Sequence, residues 1–202
     1  MKKLWKSTIA AAIILAMALA LAGCGGGSGS GKNDSGSASG TSSAGETIDN
    51  GVFSAVCPDG YRNITQTDVF GEKDADGNYP VSQELMVFSY GAESDYDVFS
   101  KPSVSIFLLS SSMTAESSMS SFDIFYDSYE ETTFNVNGED IPGAKVVNDD
   151  FTYDIGYVEK DGRVFQITVV TSNEDGDSGI NMESPDVQAV CDSITITGEP
   201  TK

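Results

Sequence analysis

Two dipeptides, Asn137-Gly138 and Asp161-Gly162, each set between runs of strand-forming residues, constrain this 202-residue chain more than any other feature. A two-residue hairpin turn needs positive φ at both central positions to match the twist of its strands, and Asn-Gly and Asp-Gly meet that need at least steric cost. The flanking runs are Thr132 to Val136, Asp140 to Asn148, Phe151 to Val158 and Arg163 to Thr171, with Asn148-Asp149-Asp150 joining the middle pair. Four strands linked by such short turns can pair only antiparallel.

Upstream, Val52 to Val56 reads as a first strand ending at Cys57-Pro58-Asp59-Gly60-Tyr61, where Pro and Asp-Gly force a turn. Leu85 to Tyr90 and Val104 to Leu109 are further β-prone apolar runs flanked by Gly, Asp, Ser and Pro. Between Thr114 and Glu130 the period changes. Ala115, Met119, Phe122, Phe125, Tyr126 and Tyr129 recur at spacings of three and four, which predicts one helix with an aromatic core-facing stripe and Ile124 on its outer side. Ser184-Pro185 has the form of a helix start, and Val187, Val190, Cys191 and Ile194 follow at helical spacing before the short strand Ile194-Thr195-Ile196. The expected class is α+β: an antiparallel sheet flanked by helices in an α/β/α sandwich.

The two ends differ in composition from this middle. Met1 to Lys6 is basic and Ile9 to Leu21 is continuously apolar, too short to span a bilayer comfortably, in the manner of an export leader. The run ends at Leu21-Ala22-Gly23-Cys24, which resembles the lipobox of bacterial lipoproteins. The resemblance implies cleavage before Cys24, acylation of its sulfur and attachment to membrane lipid on the extracytoplasmic face. Residues 25–45 are mainly Gly, Ser, Ala and Thr, a composition unable to bury enough apolar surface to offset chain entropy. A Gly-rich coil of that length spans about 25 Å root-mean-square. The expected organisation is a signal peptide over 1–23, a lipidated cysteine and tether over 24–47, and one α+β domain over 48–198. About 150 residues suffice for a single hydrophobic core.

The order of elements over residues 50–198 resembles the PsbP/Mog1-like family. The resemblance rests on the opening strand with Pro58-Asp59-Gly60-Tyr61, the Tyr153/Tyr157 strand turned back at Asp161-Gly162, and the closing Val187, Cys191-Asp192-Ser193-Ile194. The aromatic after the first turn is Tyr61 where family members often carry Trp. The family implies assistance through binding rather than one shared activity, and its histidine-dependent metal sites find no counterpart in a chain with no histidine.

That absence also removes Ser-His-Asp and Cys-His constellations and HExxH zinc sites. The net charge of −20 opposes binding to phosphate backbones, so nucleic acid is not an expected partner. With Lys2, Lys3 and Lys6 in the leader, eight basic side chains remain against 31 acidic ones, an excess that keeps an exported domain soluble or serves a cation or basic partner. Cys57 and Cys191 form an even pair in an oxidising compartment, where a bridge would join the two ends of the domain; the alternative is two buried, packed thiols. Two acidic turns, Asp74-Ala75-Asp76-Gly77-Asn78 and Asn173-Glu174-Asp175-Gly176-Asp177-Ser178-Gly179, carry oxygen ligands of the kind calcium takes but depart from EF-hand spacing. Asp74, Asp76, Asn173, Asp175 and Asp177 equally suit ordinary β-turns. The expectation is therefore a non-enzymatic lipoprotein without cofactor that binds another envelope protein, with a small-ligand or calcium-binding module as the alternative.

Overall fold

The computed structural model describes residues 45–65, 67–70, 83–173 and 179–199. Ten strands occur among them: β1 Glu46–Asp49, β2 Phe53–Cys57, β3 Tyr61–Asn63, β4 Leu85–Tyr90, β5 Ser103–Leu108, β6 Glu130–Val136, β7 Glu139–Val147, β8 Phe151–Lys160, β9 Arg163–Ser172 and β10 Thr195–Ile196. The helices are α1 Ala115–Met119, α2 Phe122–Phe125 and α3 Pro185–Ser193. Seven strands form one antiparallel sheet in the order β3-β4-β5-β9-β8-β7-β6, and β1, β2 and β10 form a second, with β2 central. The α+β class expected from the sequence holds.

Both tight turns take the expected form. Asn137 and Gly138 have φ of 53° and 84°, Asp161 and Gly162 of 53° and 73°, and they fix the registers Val136 to Glu139 and Lys160 to Arg163. Alternation then gives the large sheet two buried faces. On the first face Met86, Phe88, Val104, Ile106, Phe165 and Ile167 pack with Phe53 and Ala55 of β2 and with Val187, Val190 and Cys191 of α3. On the second, Leu85, Val87, Phe107, Ile155 and Tyr157 pack with Val98 and with Phe122 of α2. The small sheet and α3 thus cover one side of the seven-stranded layer, and α2 covers the other.

The β7–β8 ladder ends at Gly143 opposite Gly156, next to Pro142, which has no N–H to extend it. Gly143 itself sits where a Cβ would lie 2.3 Å from the Ile155 carbonyl oxygen and 2.7 Å from the Phe134 ring. Near the other end of this pair, Asp154 is buried on the first face. Its Oδ2 accepts from the Met182 N–H at 3.2 Å, and the Lys145 ammonium stands 3.3 Å from Oδ1 as an ion pair outside hydrogen-bond geometry. This carboxylate fixes the segment leading into α3 against the sheet.

Three expectations are corrected. The single helix over Thr114 to Glu130 is two short helices followed by β6, which begins at Glu130. Ser120 Oγ donates to the Ser117 carbonyl at 2.8 Å and Ser121 Oγ to the Ser118 carbonyl at 2.6 Å, side-chain bonds that compete with helix continuation. The aromatic stripe still packs inward through Phe122, Tyr126 and Tyr129, and Ile124 is 77% exposed. β1 begins at Glu46, inside the segment assigned to the tether, because its four residues pair with β2 from Glu46 opposite Cys57 to Asp49 opposite Ser54. Cys57 and Cys191 stand as two thiols rather than a bridge. Cys57 Sγ points to the Tyr61 carbonyl at 3.7 Å, and Cys191 lies in the packed face of α3.

Candidate functional site

The second face of the large sheet carries polar side chains at its centre. Val87, Ser105, Thr168 and Ile155 run abreast across β4, β5, β9 and β8. Leu85, Phe107, Gln166 and Tyr157 flank them on one side, and Ser89, Ser103, Val170 and Tyr153 on the other. The serines are short where their neighbours are bulky, and the difference leaves a hollow of about 20 Å³ floored by Ser103, Ser105 and Thr168 and walled by Phe107, Tyr153 and Val98. Gln166 Nε2 donates to Thr168 Oγ1 at 3.2 Å and the Tyr157 hydroxyl to Gln166 Oε1 at 3.4 Å. Each buried hydroxyl in this chain of contacts gains a polar neighbour, which offsets the cost of taking it from water.

Val98 reaches the hollow from the 3₁₀ helix Asp95–Phe99, whose position is set by ionic contacts. Arg62 Nε on β3 donates to Asp95 Oδ1 at 2.7 Å, with both side chains partly buried. Asp97 Oδ2 accepts from the Glu93 and Ser94 N–H groups at 2.8 and 3.0 Å. The Ser94 and Glu93 backbone bonds hold the Asp97 carboxyl below the usual carboxylate range, with Ser94's hydroxyl and Lys101 contributing less.

The chemistry of the hollow follows from its lining. Burial raises the Tyr153 phenol, opposed by a hydrogen bond to Asn148 and reinforced by the charge of Asp150. Burial also raises Tyr157, with Tyr126 adding to the rise. Both phenols therefore stay protonated at neutral pH and act as hydrogen-bonding groups. The volume suits about one water molecule, which needs at least ~10–15 Å³, and falls far below the ~300–1,000 Å³ of pockets that enclose small ligands. The site can order a water or a group of that size.

The residues singled out from sequence do not converge here. Cys24, Asp74, Asp76, Asp175 and Asp177 lie outside the described residues. The Asn173 side chain accepts from Thr152 Oγ1 at 3.0 Å and donates to the Asn148 carbonyl at 2.8 Å, tying the ends of the β8–β9 hairpin. Among the described residues no group of three or more His, Cys, Asp or Glu side chains is placed to hold a metal ion, and no helix is long and apolar enough to cross a membrane. Cys57 and Cys191 share the core of the first face, and burial pushes the Cys191 thiol up to about 12, with Lys160 opposing and Asp192 adding to the rise. The polar file itself was missed in the sequence. Its signal was Ser103 and Ser105 alternating with apolar residues in one strand, and Gln166 and Thr168 doing so in another.

No family model matches the chain, and no curated protein matches it. Solved structures similar to it include LpqN, described as involved in cell envelope biogenesis of Mycobacterium tuberculosis, at 12% identity and a TM-score of 0.37, over 75% of this chain and 90% of that one. Cyanobacterial PsbP from Synechocystis sp. PCC 6803 is similar at 15% identity and a TM-score of 0.37, over 80% of this chain and 98% of that one.

Proposed function

We propose that this protein is a membrane-anchored extracytoplasmic lipoprotein whose domain is a non-catalytic accessory module binding another protein of the cell envelope. The observation that carries the reading is Leu21-Ala22-Gly23-Cys24 at the end of an apolar run, followed by a Gly/Ser segment that leads into a packed domain. Two or three acyl chains on one sulfur supply the double hydrophobic signal that stable anchoring requires, each buried methylene adding about 0.8 kcal/mol. The tether lets the domain search a shell around its anchor. The hollow supports the non-catalytic part of the reading, since its titratable lining group is a phenol raised by burial.

Membrane fractionation with metabolic labelling by an alkyne fatty acid tests the anchor. The reading expects the native protein in the membrane fraction carrying label, and Cys24→Ala unlabelled and released from the acylated pool. Native protein recovered soluble and unlabelled would overturn it.

A further inference from the structure

The two edges of the seven-stranded sheet differ. β3 is only three residues long, and the chain itself takes the outward groups of Tyr61: its N–H donates to the Pro58 carbonyl at 3.1 Å and its carbonyl receives Cys57 Sγ at 3.7 Å. At β6 the hairpin closes with Val136 opposite Glu139 across a two-residue turn. That pair exchanges hydrogen bonds, so Glu130, Thr132, Phe134 and Val136 direct their backbone groups to β7, and Glu131, Thr133 and Asn135 direct theirs outward. Asn135 bears this out, its N–H donating to Glu183 Oε1 at 2.9 Å and its carbonyl receiving Gln188 Nε2 at 3.5 Å. Glu131 and Thr133 are exposed, and among the described residues nothing bonds their outward N–H and C=O groups.

We infer that the outer edge of β6 is a docking site for an extended, lysine- or arginine-rich segment of another protein, which adds to the sheet as a further strand. Open strand edges recruit extended chains through main-chain hydrogen bonds, and the flanking side chains select among them. Here the flanks are acidic. Glu130 and Glu131 are exposed on opposite faces of β6, Glu139 and Asp140 follow the turn, and Glu183 caps the far end. The cation opposite Glu130 is Lys145, whose ammonium is engaged with Asp154. A basic side chain on either face of an added strand would meet a carboxylate, Glu130 on one and Glu131 on the other. Two copies of this chain meeting edge to edge would instead bring like charges together within a molecule of net charge −20. The site deepens the protein-binding reading above and rests on it.

The test uses the full-length chain in detergent micelles and a synthetic eight-residue peptide of alternating lysine and valine, with binding followed by calorimetry and the site by amide hydrogen exchange over residues 130–136. The inference expects saturable binding that protects this segment and weakens with salt. Thr133→Pro removes one outward donor at an edge position where proline is tolerated, and should weaken binding about tenfold or more while leaving the melting temperature near its native value. The pair Glu130→Lys and Glu131→Lys should weaken it similarly. Binding unchanged in Thr133→Pro, protection confined to other segments, or no saturable binding would each overturn the inference. A concentration-dependent dimer abolished by Thr133→Pro would also overturn it, assigning the edge to a second copy. In cells, a partner cross-linked only away from β6 would sink this site and spare the wider reading, whereas the lack of any partner would sink both.

Discussion

At Gly143 a single added methyl group would meet the Ile155 carbonyl at 2.3 Å and the Phe134 ring at 2.7 Å. A backbone oxygen in a sheet ladder cannot swing away as a side chain can, so β7 and β8 would have to separate. Overpacking of this kind costs about 1–3 kcal/mol, and Gly143→Ala should lower stability to urea by that amount. An unchanged unfolding midpoint would show that the hairpin is looser than the geometry here. Sequence did not single out Gly143, because the need for a missing Cβ arises from β8 and from Phe134 across β6, contacts that no local pattern encodes. The turn glycines were legible for the opposite reason: Gly138 and Gly162 answer to φ values set by their own dipeptides.

The elements read from sequence divide in the same way. Strands whose alternation and turns are local, β4 through β9, stand within two residues of their expected positions, as does α3 behind Ser184-Pro185. The helix over Thr114 to Glu130 had the right face and the wrong length. Periodicity reports which side of a segment is buried, and Phe122 and Tyr129 do pack inward. It does not report that Ser120 and Ser121 bond backbone carbonyls three residues earlier and divide the segment. Short helices of this kind depend heavily on their caps. Thr114 Oγ1 accepts from the Ser117 N–H at 3.1 Å, and Thr114→Ala should cost about 0.5–2 kcal/mol, with early loss of amide protection in α1. Native-like protection in that variant would mean packing alone holds α1. β1 and β3 escaped notice because four and three residues are too few for a pattern. The polar file of Ser105, Thr168 and Gln166 was visible as alternation, but only the register of β5 on β9 shows that its members stand side by side.

Over the whole molecule, burial ties stability to alkaline pH. Burial pushes Cys191 and Tyr126 each up to about 12, and raises Tyr61 and Tyr157 further. An unfolded thiol ionises near 9 and an unfolded phenol near 10, whereas these folded groups keep their protons. Below pH 9 both states are neutral at these positions and the stability is complete. Above it the unfolded state releases protons that the folded state retains, so unfolding becomes progressively easier toward pH 12. Melting temperature should be flat in this respect up to about pH 9 and fall beyond it, less steeply in Cys191→Ala than in the native chain. A melting temperature that holds or rises through that window would contradict the burial described here. The account as a whole depends on what the tethered domain meets in the envelope. Cross-linking of the native protein in intact cells, with mass spectrometry and Cys24→Ala as the unanchored control, tests that most directly. The account predicts one dominant protein partner captured only by the anchored form. Recovery of the same abundant bystanders with both forms would contradict it.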